Sequence, residues 1–139
     1  MANPRVLFID DELALVNNLS QLLRLMGYQT GVAIDGEQGL RAIRTGAFDV
    51  VVLDMRMPRL SGMGVLRALD GVEGAPEIIV MTGFGTIQNG LESLSHGAFD
   101  YVSKPVNIKN LVEKITAAWE RKIKRNPAPL SQNGNNSNG

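Results

Sequence analysis

The sequence contains no cysteine, and that absence excludes three kinds of chemistry in the 139-residue chain. Without thiols there is no disulfide framework, no thiolate metal site and no cysteine nucleophile. A chain without disulfides also suits a reducing compartment. Histidine occurs once, at His96, which the pattern places on the surface near the end of a helix. Any chemistry is therefore expected from carboxylates, hydroxyls and lysine.

The sequence also lacks an excess of charge of either sign and any long hydrophobic run. Lys and Arg number 14 and Asp and Glu number 14, so the formal net charge is +0. A balanced chain lacks the overall attraction to phosphate backbones that a dedicated nucleic-acid-binding protein shows. No apolar run reaches the ~20 residues of a membrane-spanning helix, and the first residues do not form a signal peptide. We expect a cytoplasmic protein that binds neither membrane nor nucleic acid directly.

What is present is the composition of one folded domain followed by a polar tail. Apolar residues make up 44% of the chain and charged residues 20%, which is typical of a globular domain. The length predicts a single domain, over residues 1–125. Residues 126–139 contain one large apolar residue, Leu130, and cannot bury enough surface to offset the entropy of ordering. We expect a disordered tail or a truncated linker there.

Short apolar runs alternate with helical patterns along the folded part. Residues 6–9, 50–53 and 78–81 are continuous apolar runs, which indicate strands buried on both faces. Residues 101–102 form a further short apolar run, and residues 30–34 form a weaker one. Five strand-and-helix repeats predict an α/β fold, a five-stranded parallel sheet with helices on both faces. Ligands of such sheets bind outside the carboxyl ends of the strands.

Glycine and asparagine mark several helix ends. Gly27, Gly46 and Gly97 each follow a stretch with helical spacing of apolar residues and predict the end of a helix. Asn107 predicts the N-cap of the fifth helix. Gly90 lies inside the fourth helix and weakens it by ~1 kcal/mol relative to alanine.

Polar residues follow four of the predicted strands. Asp10 and Asp11 follow the first strand and Asp54 the third, while Thr82 follows the fourth and Lys104 the fifth. Like charges at one place need compensation, and oxygen ligands without cysteine or nearby histidine favour Mg²⁺ or Mn²⁺. These residue types predict phosphoryl transfer to Asp54, with Thr82 and Lys104 contacting the phosphoryl oxygens.

Each of these residues also has a simpler structural explanation. Asp11 can cap the first helix, and Asp54 can begin a turn. Thr82 with the glycine after it can form a turn, and Lys104 can be an ordinary surface lysine. Those explanations must hold separately at four places. Their shared position at one sheet edge therefore favours a site.

Six short segments occur in a fixed order along the chain. They are Phe8-Ile9-Asp10-Asp11-Glu12, Leu53-Asp54-Met55-Arg56-Met57-Pro58, Ser61-Gly62-Met63, Met81-Thr82-Gly83, Gly97-Ala98-Phe99-Asp100-Tyr101 and Lys104-Pro105. In this order and spacing they resemble the receiver domain of bacterial two-component response regulators, over residues 4–124, particularly receivers of the nitrogen-regulation type. The resemblance implies a flavodoxin-like (βα)5 fold with strand order 2-1-3-4-5.

The resemblance also implies a phosphorelay function. Asp54 would accept a phosphoryl group from a histidine kinase or a histidine phosphotransfer protein. Asp11 and Asp54 would bind Mg²⁺ or Mn²⁺ directly, Asp10 through water, and Arg56 through its backbone carbonyl. The chain would catalyse only its own phosphorylation and autodephosphorylation, so it is not expected to be an enzyme with a separate substrate.

A conformational switch is implied by the same resemblance. Thr82 and Lys104 would contact the phosphoryl group, and Tyr101 would change rotamer when Thr82 moves. The surface of the fourth helix, fifth strand and fifth helix would then change, as a two-state equilibrium biased by a local charge. Tyr101 can also be only a packed strand aromatic. The bond between Lys104 and Pro105 would be cis, which is a minority state for bonds to proline.

Two further residues are implied to set the lifetime of the phosphoryl group. Arg56 lies two positions after Asp54, and Phe84 lies two positions after Thr82. Side chains at both positions border the phosphoryl group in this family. A bulky Phe84 predicts slow self-dephosphorylation by obstructing the attacking water.

The sequence leaves the output of the chain open. The residues after Arg125 do not resemble an output domain, so we expect either a stand-alone receiver or part of a longer regulator. A phosphorylation-dependent homodimer stays open. The basic residues 120–125 are interpreted as the cationic last turn of a helix.

Three other functions compete with the receiver. A phosphatase of the haloacid-dehalogenase type needs an acid where Arg56 stands. A flavodoxin-like electron carrier needs a glycine-rich phosphate loop, whereas Asp10, Asp11 and Glu12 would repel a flavin phosphate. A degenerate receiver that acts as a constitutive protein-binding module is the remaining alternative.

Overall fold

The computed structural model describes residues 3–83 and 87–125, so Phe84 and the predicted tail lie outside the described residues. Five strands alternate with five helices. The elements are β1 (Arg5–Ile9), α1 (Leu13–Leu25), β2 (Gln29–Ala33), α2 (Gly36–Arg44), β3 (Val50–Asp54), α3 (Gly62–Leu69), β4 (Glu77–Thr82), α4 (Ile87–Ser95), β5 (Asp100–Ser103) and α5 (Ile108–Arg125). In the described part, no helix combines the length and apolar character needed to cross a bilayer.

The strands form one parallel sheet in the order β2-β1-β3-β4-β5, which confirms the predicted fold class. The three continuous apolar runs lie in β1, β3 and β4, and β3 and β4 are buried along their whole length. Alternate residues of β1 face opposite sides of the sheet. Val6 and Phe8 pack with α1 and α5, whereas Leu7 and Ile9 pack with α2 and α3. The sheet therefore has a separate apolar core on each face.

The helix ends follow the predicted glycines. Gly27, Gly46 and Gly97 each have a positive φ, of 97°, 76° and 102°, in the left-handed region that favours glycine. The Asn107 side chain accepts a hydrogen bond from the Asn110 backbone N–H at 2.9 Å, so it caps α5 as predicted.

Asp49 joins three elements at the amino ends of the strands. It directly precedes β3 and is almost completely buried. Its carboxylate accepts hydrogen bonds from the backbone N–H and the guanidinium of Arg5 at 2.9–3.0 Å and lies 3.5 Å from the Lys122 Nζ. Burial alone would raise the pKa of Asp49, but the Arg5 hydrogen bonds and the charges of Arg5 and Lys122 hold it below its ordinary value.

Glu77, the first residue of β4, makes the second connection to α5. Its buried Oε2 lies 3.3 Å from the Arg125 Nη2 and 3.7 Å from the Arg121 Nε. The Arg121 guanidinium also lies over the ring of Phe99, 5.6 Å from its centroid. The basic end of α5 is therefore held against the sheet. We call this group the anchor cluster: Arg5, Asp49, Glu77, Arg121, Lys122 and Arg125.

Candidate functional site

Three carboxylates meet at the carboxyl ends of β1 and β3. The two strands are neighbours, with Ile9 paired to Leu53, so Asp10, just after β1, lies beside Asp54, the last residue of β3. Asp10, Asp11 and Asp54 each place one carboxylate oxygen within 4.8 Å of the others. Asp10 is 0% exposed and Asp54 6% exposed, whereas Asp11 lies at the surface. The sequence predicted this juxtaposition.

Lys104 is the cation of this group among the described residues. Its Nζ lies 3.0 Å from Asp10 Oδ2, 3.4 Å from Asp54 Oδ1 and 3.5 Å from Glu12 Oε1. The Lys104 backbone N–H donates to the carbonyl of Thr82 at 2.8 Å, which ties the segment after β5 to the end of β4. The peptide bond between Lys104 and Pro105 is cis. Glu12, whose part in this network the sequence reasoning missed, adds a fourth carboxylate.

The negative charges of the carboxylates in this group exceed the positive charge of Lys104. Burial and the neighbouring charge of Asp10 raise the pKa of Asp54 to about 6, although Lys104 and a hydrogen bond from the Arg56 backbone N–H act in the opposite direction. Burial alone would lower the pKa of Lys104, but its contacts with Asp10 and Asp54 raise it. One ammonium group cannot neutralise the surrounding carboxylates, so the group has the charge and the oxygen donors that suit a divalent cation.

A close backbone approach fixes the position of Asp54. A Cβ on Gly62 would lie 2.5 Å from the Asp54 carbonyl oxygen and 2.7 Å from the Met55 Cα, so only glycine allows α3 to begin there. The Ser61 hydroxyl accepts a hydrogen bond from the Gly64 N–H at 3.2 Å and caps α3. The motif residues Ser61 and Gly62 thus hold the loop after β3 against the end of the strand.

The structure does not bring the Thr82 hydroxyl into the carboxylate group. Thr82 is buried, and its Oγ1 donates to the carbonyl of Val102 in β5 at 3.4 Å. The simpler explanation of Asp11 as a helix cap fails as well. The N-cap of α1 is Glu12 and makes no side-chain capping hydrogen bond, whereas the Glu12 N–H donates to Asp10 Oδ1 at 2.9 Å.

Comparison with known proteins decides the family. The protein-family model of the response regulator receiver domain matches residues 6–116 of the sequence. The chain belongs to this receiver family. The receiver is 33% identical over 116 residues to the transcriptional regulatory protein ZraR of Escherichia coli (strain K12), which covers 84% of this chain and 26% of that protein. It is 32% identical over 122 residues to the transcriptional regulatory protein PrrA of Mycobacterium bovis, with 88% of this chain and 52% of that protein covered.

Solved receiver structures have the same fold. A response regulator receiver domain protein from Clostridium thermocellum superposes with a TM-score of 0.81 at 35% identity, covering 90% of this chain and 99% of that one. The receiver domain of NtrX from Brucella abortus gives a TM-score of 0.77 at 26% identity, covering 83% and 98%. The receiver thus spans almost all of these isolated domains but only about a quarter to a half of the curated relatives.

Of the remaining predicted site residues, the structure describes Arg56 and Tyr101. Arg56 is exposed, and its backbone N–H rather than its side chain contacts Asp54. The predicted role of its carbonyl in metal binding stays a prediction. Tyr101 is partly buried in β5, with its ring against α4. The prediction for Phe84 falls outside the described residues.

Proposed function

We propose that Asp54 accepts a phosphoryl group from the phosphohistidine of a histidine kinase or a histidine phosphotransfer protein, in a Mg²⁺-dependent reaction. The observation that carries this proposal is the Asp54 carboxylate itself. It is almost buried, lies 3.4 Å from the Lys104 ammonium and shares its surroundings with Asp10 and Asp11. A carboxylate in such surroundings can act as a nucleophile towards phosphorus.

The residues fit a divalent cation. Asp11 and Asp54 would bind it directly, Asp10 through water and Arg56 through its carbonyl. Bound Mg²⁺ or Mn²⁺ supplies positive charge that offsets the carboxylates and the phosphoryl oxygens. The oxygen-only donor set and the shortage of cations around Asp54 support this assignment.

The chain contributes the nucleophile and a fixed positive charge. An oxygen of ionised Asp54 attacks phosphorus, and the bond from phosphorus to the donor's imidazole nitrogen breaks, with its electron pair returning to the imidazole. Lys104 keeps its proton, since its pKa is raised, and its ammonium offsets the charge of the transferred group. The reaction modifies the chain itself, so we propose no separate substrate.

The switch is part of the same proposal. In the structure the Thr82 hydroxyl donates to the Val102 carbonyl, and phosphorylation would draw it towards the new oxygens at Asp54. Space and contacts around Tyr101 would then change, and with them the surface of α4, β5 and α5. Asp100 of that surface already pairs with Lys114 of α5 at 2.7 Å, which links β5 to the helix beside it.

We further propose that this surface acts on an output domain or an effector protein, and that phosphorylation can produce a homodimer. The curated relatives are transcriptional regulators much longer than this receiver, which supports an output beyond the domain itself. The signal would reach DNA through that output rather than through direct binding by the receiver. A cytoplasmic location stays a prediction.

The proposal is tested by intact mass after incubation with acetyl phosphate, with and without Mg²⁺. We expect the parent to gain one phosphoryl group only with Mg²⁺, and Asp54→Asn to gain none. Asp49→Asn is the matched control, because it changes a buried aspartate next to the other end of the same strand and should leave the gain intact. If neither acetyl phosphate nor a phosphorylated histidine kinase modifies the parent, the constitutive binding module is the better explanation.

A further inference from the structure

Gly90, in the interior of α4, lies directly against the ring of Tyr101 in β5. A Cβ at position 90 would lie 2.6 Å from Cδ2, 2.7 Å from Cγ and 2.8 Å from Cε2 of that ring. Carbon atoms in contact are normally about 3.5–4.0 Å apart. No residue other than glycine therefore fits at position 90 while the Tyr101 ring keeps this position.

The conflict involves the base of the ring rather than its flexible end. The Cγ atom is bonded to the Tyr101 Cβ, so a small tilt of the ring does not remove the contact. The backbones on both sides are held in place. The buried Ser93 hydroxyl donates to the Gly90 carbonyl at 2.6 Å, and Tyr101 is paired with Val80 of β4 in the sheet. A side chain at position 90 would therefore displace the ring by rotation about χ1.

Glycine in a helix interior costs stability relative to alanine. Gly90 is also buried, where an alanine methyl group would otherwise add apolar contact. The sequence thus keeps the less favourable helix residue at a position of α4 that lies against the Tyr101 ring. The contact with the ring gives this glycine a physical reason that helix propensity does not.

We infer that Gly90 is a positioning residue for Tyr101: because position 90 has no side chain, the ring can pack directly against α4. A methyl group at position 90 shifts the Tyr101 rotamer without any phosphoryl group at Asp54. The consequence for signalling rests on the proposed function, but the contact itself does not.

The first test follows the ring directly by fluorine NMR of 3-fluorotyrosine-labelled full chain. The chain has two tyrosines, so buried Tyr28 serves as the internal reference. Without a phosphoryl donor, Gly90→Ala should move the Tyr101 resonance and leave that of Tyr28 in place. Gln88→Ala is the matched control, since it adds alanine at an exposed position of the same helix and should move neither. A Tyr101 resonance unchanged in Gly90→Ala overturns the inference.

Beryllofluoride with Mg²⁺, a mimic of the phosphoryl group, separates this inference from the proposed function. One outcome is that beryllofluoride moves the Tyr101 resonance of the parent while the resonance of Gly90→Ala without beryllofluoride stays where that of the untreated parent lies. In that case the positioning role is wrong. If the parent does not respond but Gly90→Ala still moves the resonance, the positioning role stands and the proposed switch is wrong.

A thermal double-mutant cycle provides the second test and covers the case in which Gly90→Ala fails to fold. In the parent, Gly90→Ala should lower Tm because the methyl group meets the ring. In a Tyr101→Ala background the same change should raise Tm by about 4 °C, because only the helix preference for alanine remains. An equal effect in both backgrounds, or a double variant that does not fold, contradicts the inference.

Discussion

The two ends of β3 place the same residue type in opposite electrostatic surroundings. Asp49 precedes the strand and Asp54 ends it, and both carboxylates are almost completely buried. Yet the pKa of Asp49 lies below its ordinary value, whereas that of Asp54 is raised to about 6. Burial acts in the same direction on both, so the difference comes from their charged neighbours.

The anchor cluster has more cationic side chains per carboxylate than the candidate functional site. The anchor cluster contains two carboxylates and four cationic side chains, and its ion pairs span 3.0–3.7 Å. At the other end, Lys104 is the one cation among the described residues that pairs with Asp10, Asp54 and Glu12. Full compensation fixes α5 on the sheet, while incomplete compensation leaves a group that suits an added cation.

The largest expected contrast compares the lysines of the two ends. Lys104→Met should slow the phosphorylation of Asp54 by acetyl phosphate by about 100-fold, the effect of removing one charge-stabilising donor. Lys122→Met removes a lysine that lies 3.5 Å from Asp49 and should leave the rate within about twofold of the parent, since it contacts none of the reacting groups. Mass spectrometry over time measures both rates. Equal slowing would show that Lys104 has no special role.

The next contrast breaks the anchor cluster. Asp49→Ala removes the charge-assisted hydrogen bonds to Arg5 and the pair with Lys122, so the free energy of unfolding should fall by about 2 kcal/mol. Urea denaturation at pH 7 measures the change. Glu37→Ala in α2, an exposed acid without an ion pair to the anchor cluster, serves as the control. A loss no greater than in that control would count against the anchor.

The smallest expected effect is a gain in stability rather than a loss. Asp54→Asn removes a carboxylate whose charge is unfavourable in the folded state, so without divalent cations the free energy of unfolding should rise by about 1 kcal/mol after allowance for solvent screening. Urea denaturation in a chelator at pH 7.5 measures the gain. Added Mg²⁺ should reduce the gain, because the proposed binding of the cation to the parent would stabilise its folded state.

The pH dependence of this gain follows from the raised pKa. The folded state binds a proton at Asp54 more readily than the unfolded state, so the penalty of the carboxylate is present above about pH 6 and decreases as pH falls through that value. The gain of Asp54→Asn should therefore shrink between pH 7.5 and pH 5. Asp49 behaves in reverse, since its lowered pKa gives a stabilisation that persists to pH 5 and decreases below its ordinary range. A gain from Asp54→Asn that is constant with pH contradicts this account.

The sequence predicted the end of the sheet that carries the site better than the end that carries the anchor cluster. Asp10, Asp54 and Lys104 each follow a recognisable strand, and parallel strands bring such residues to one edge. Asp49 instead pairs with Arg5 and Lys122, which lie 44 and 73 residues away. Nothing in local periodicity indicates those pairs. The basic run at the end of α5 was accordingly interpreted only as an exposed helix turn.

The direction of a side chain is the second feature that the sequence does not predict. The position of Thr82 at the end of β4 was predicted, but a rotamer decides that its hydroxyl donates to Val102. Gly90 was predicted only to weaken α4, because the ring that it accommodates belongs to another element. Spacing along one chain segment does not show which neighbour fills the space beside a glycine.

The complete burial of β3 and β4 has a consequence for the times over which the receiver moves. Both strands have a strand on each side and an apolar core on each face, so their amide hydrogens should exchange with solvent mainly when the whole domain opens. The backbone of the strands that end at Asp54 and Thr82 should therefore keep its hydrogen bonds between rare opening events. Any faster response at this end of the sheet belongs to side-chain rotation and to the surrounding loops and helices.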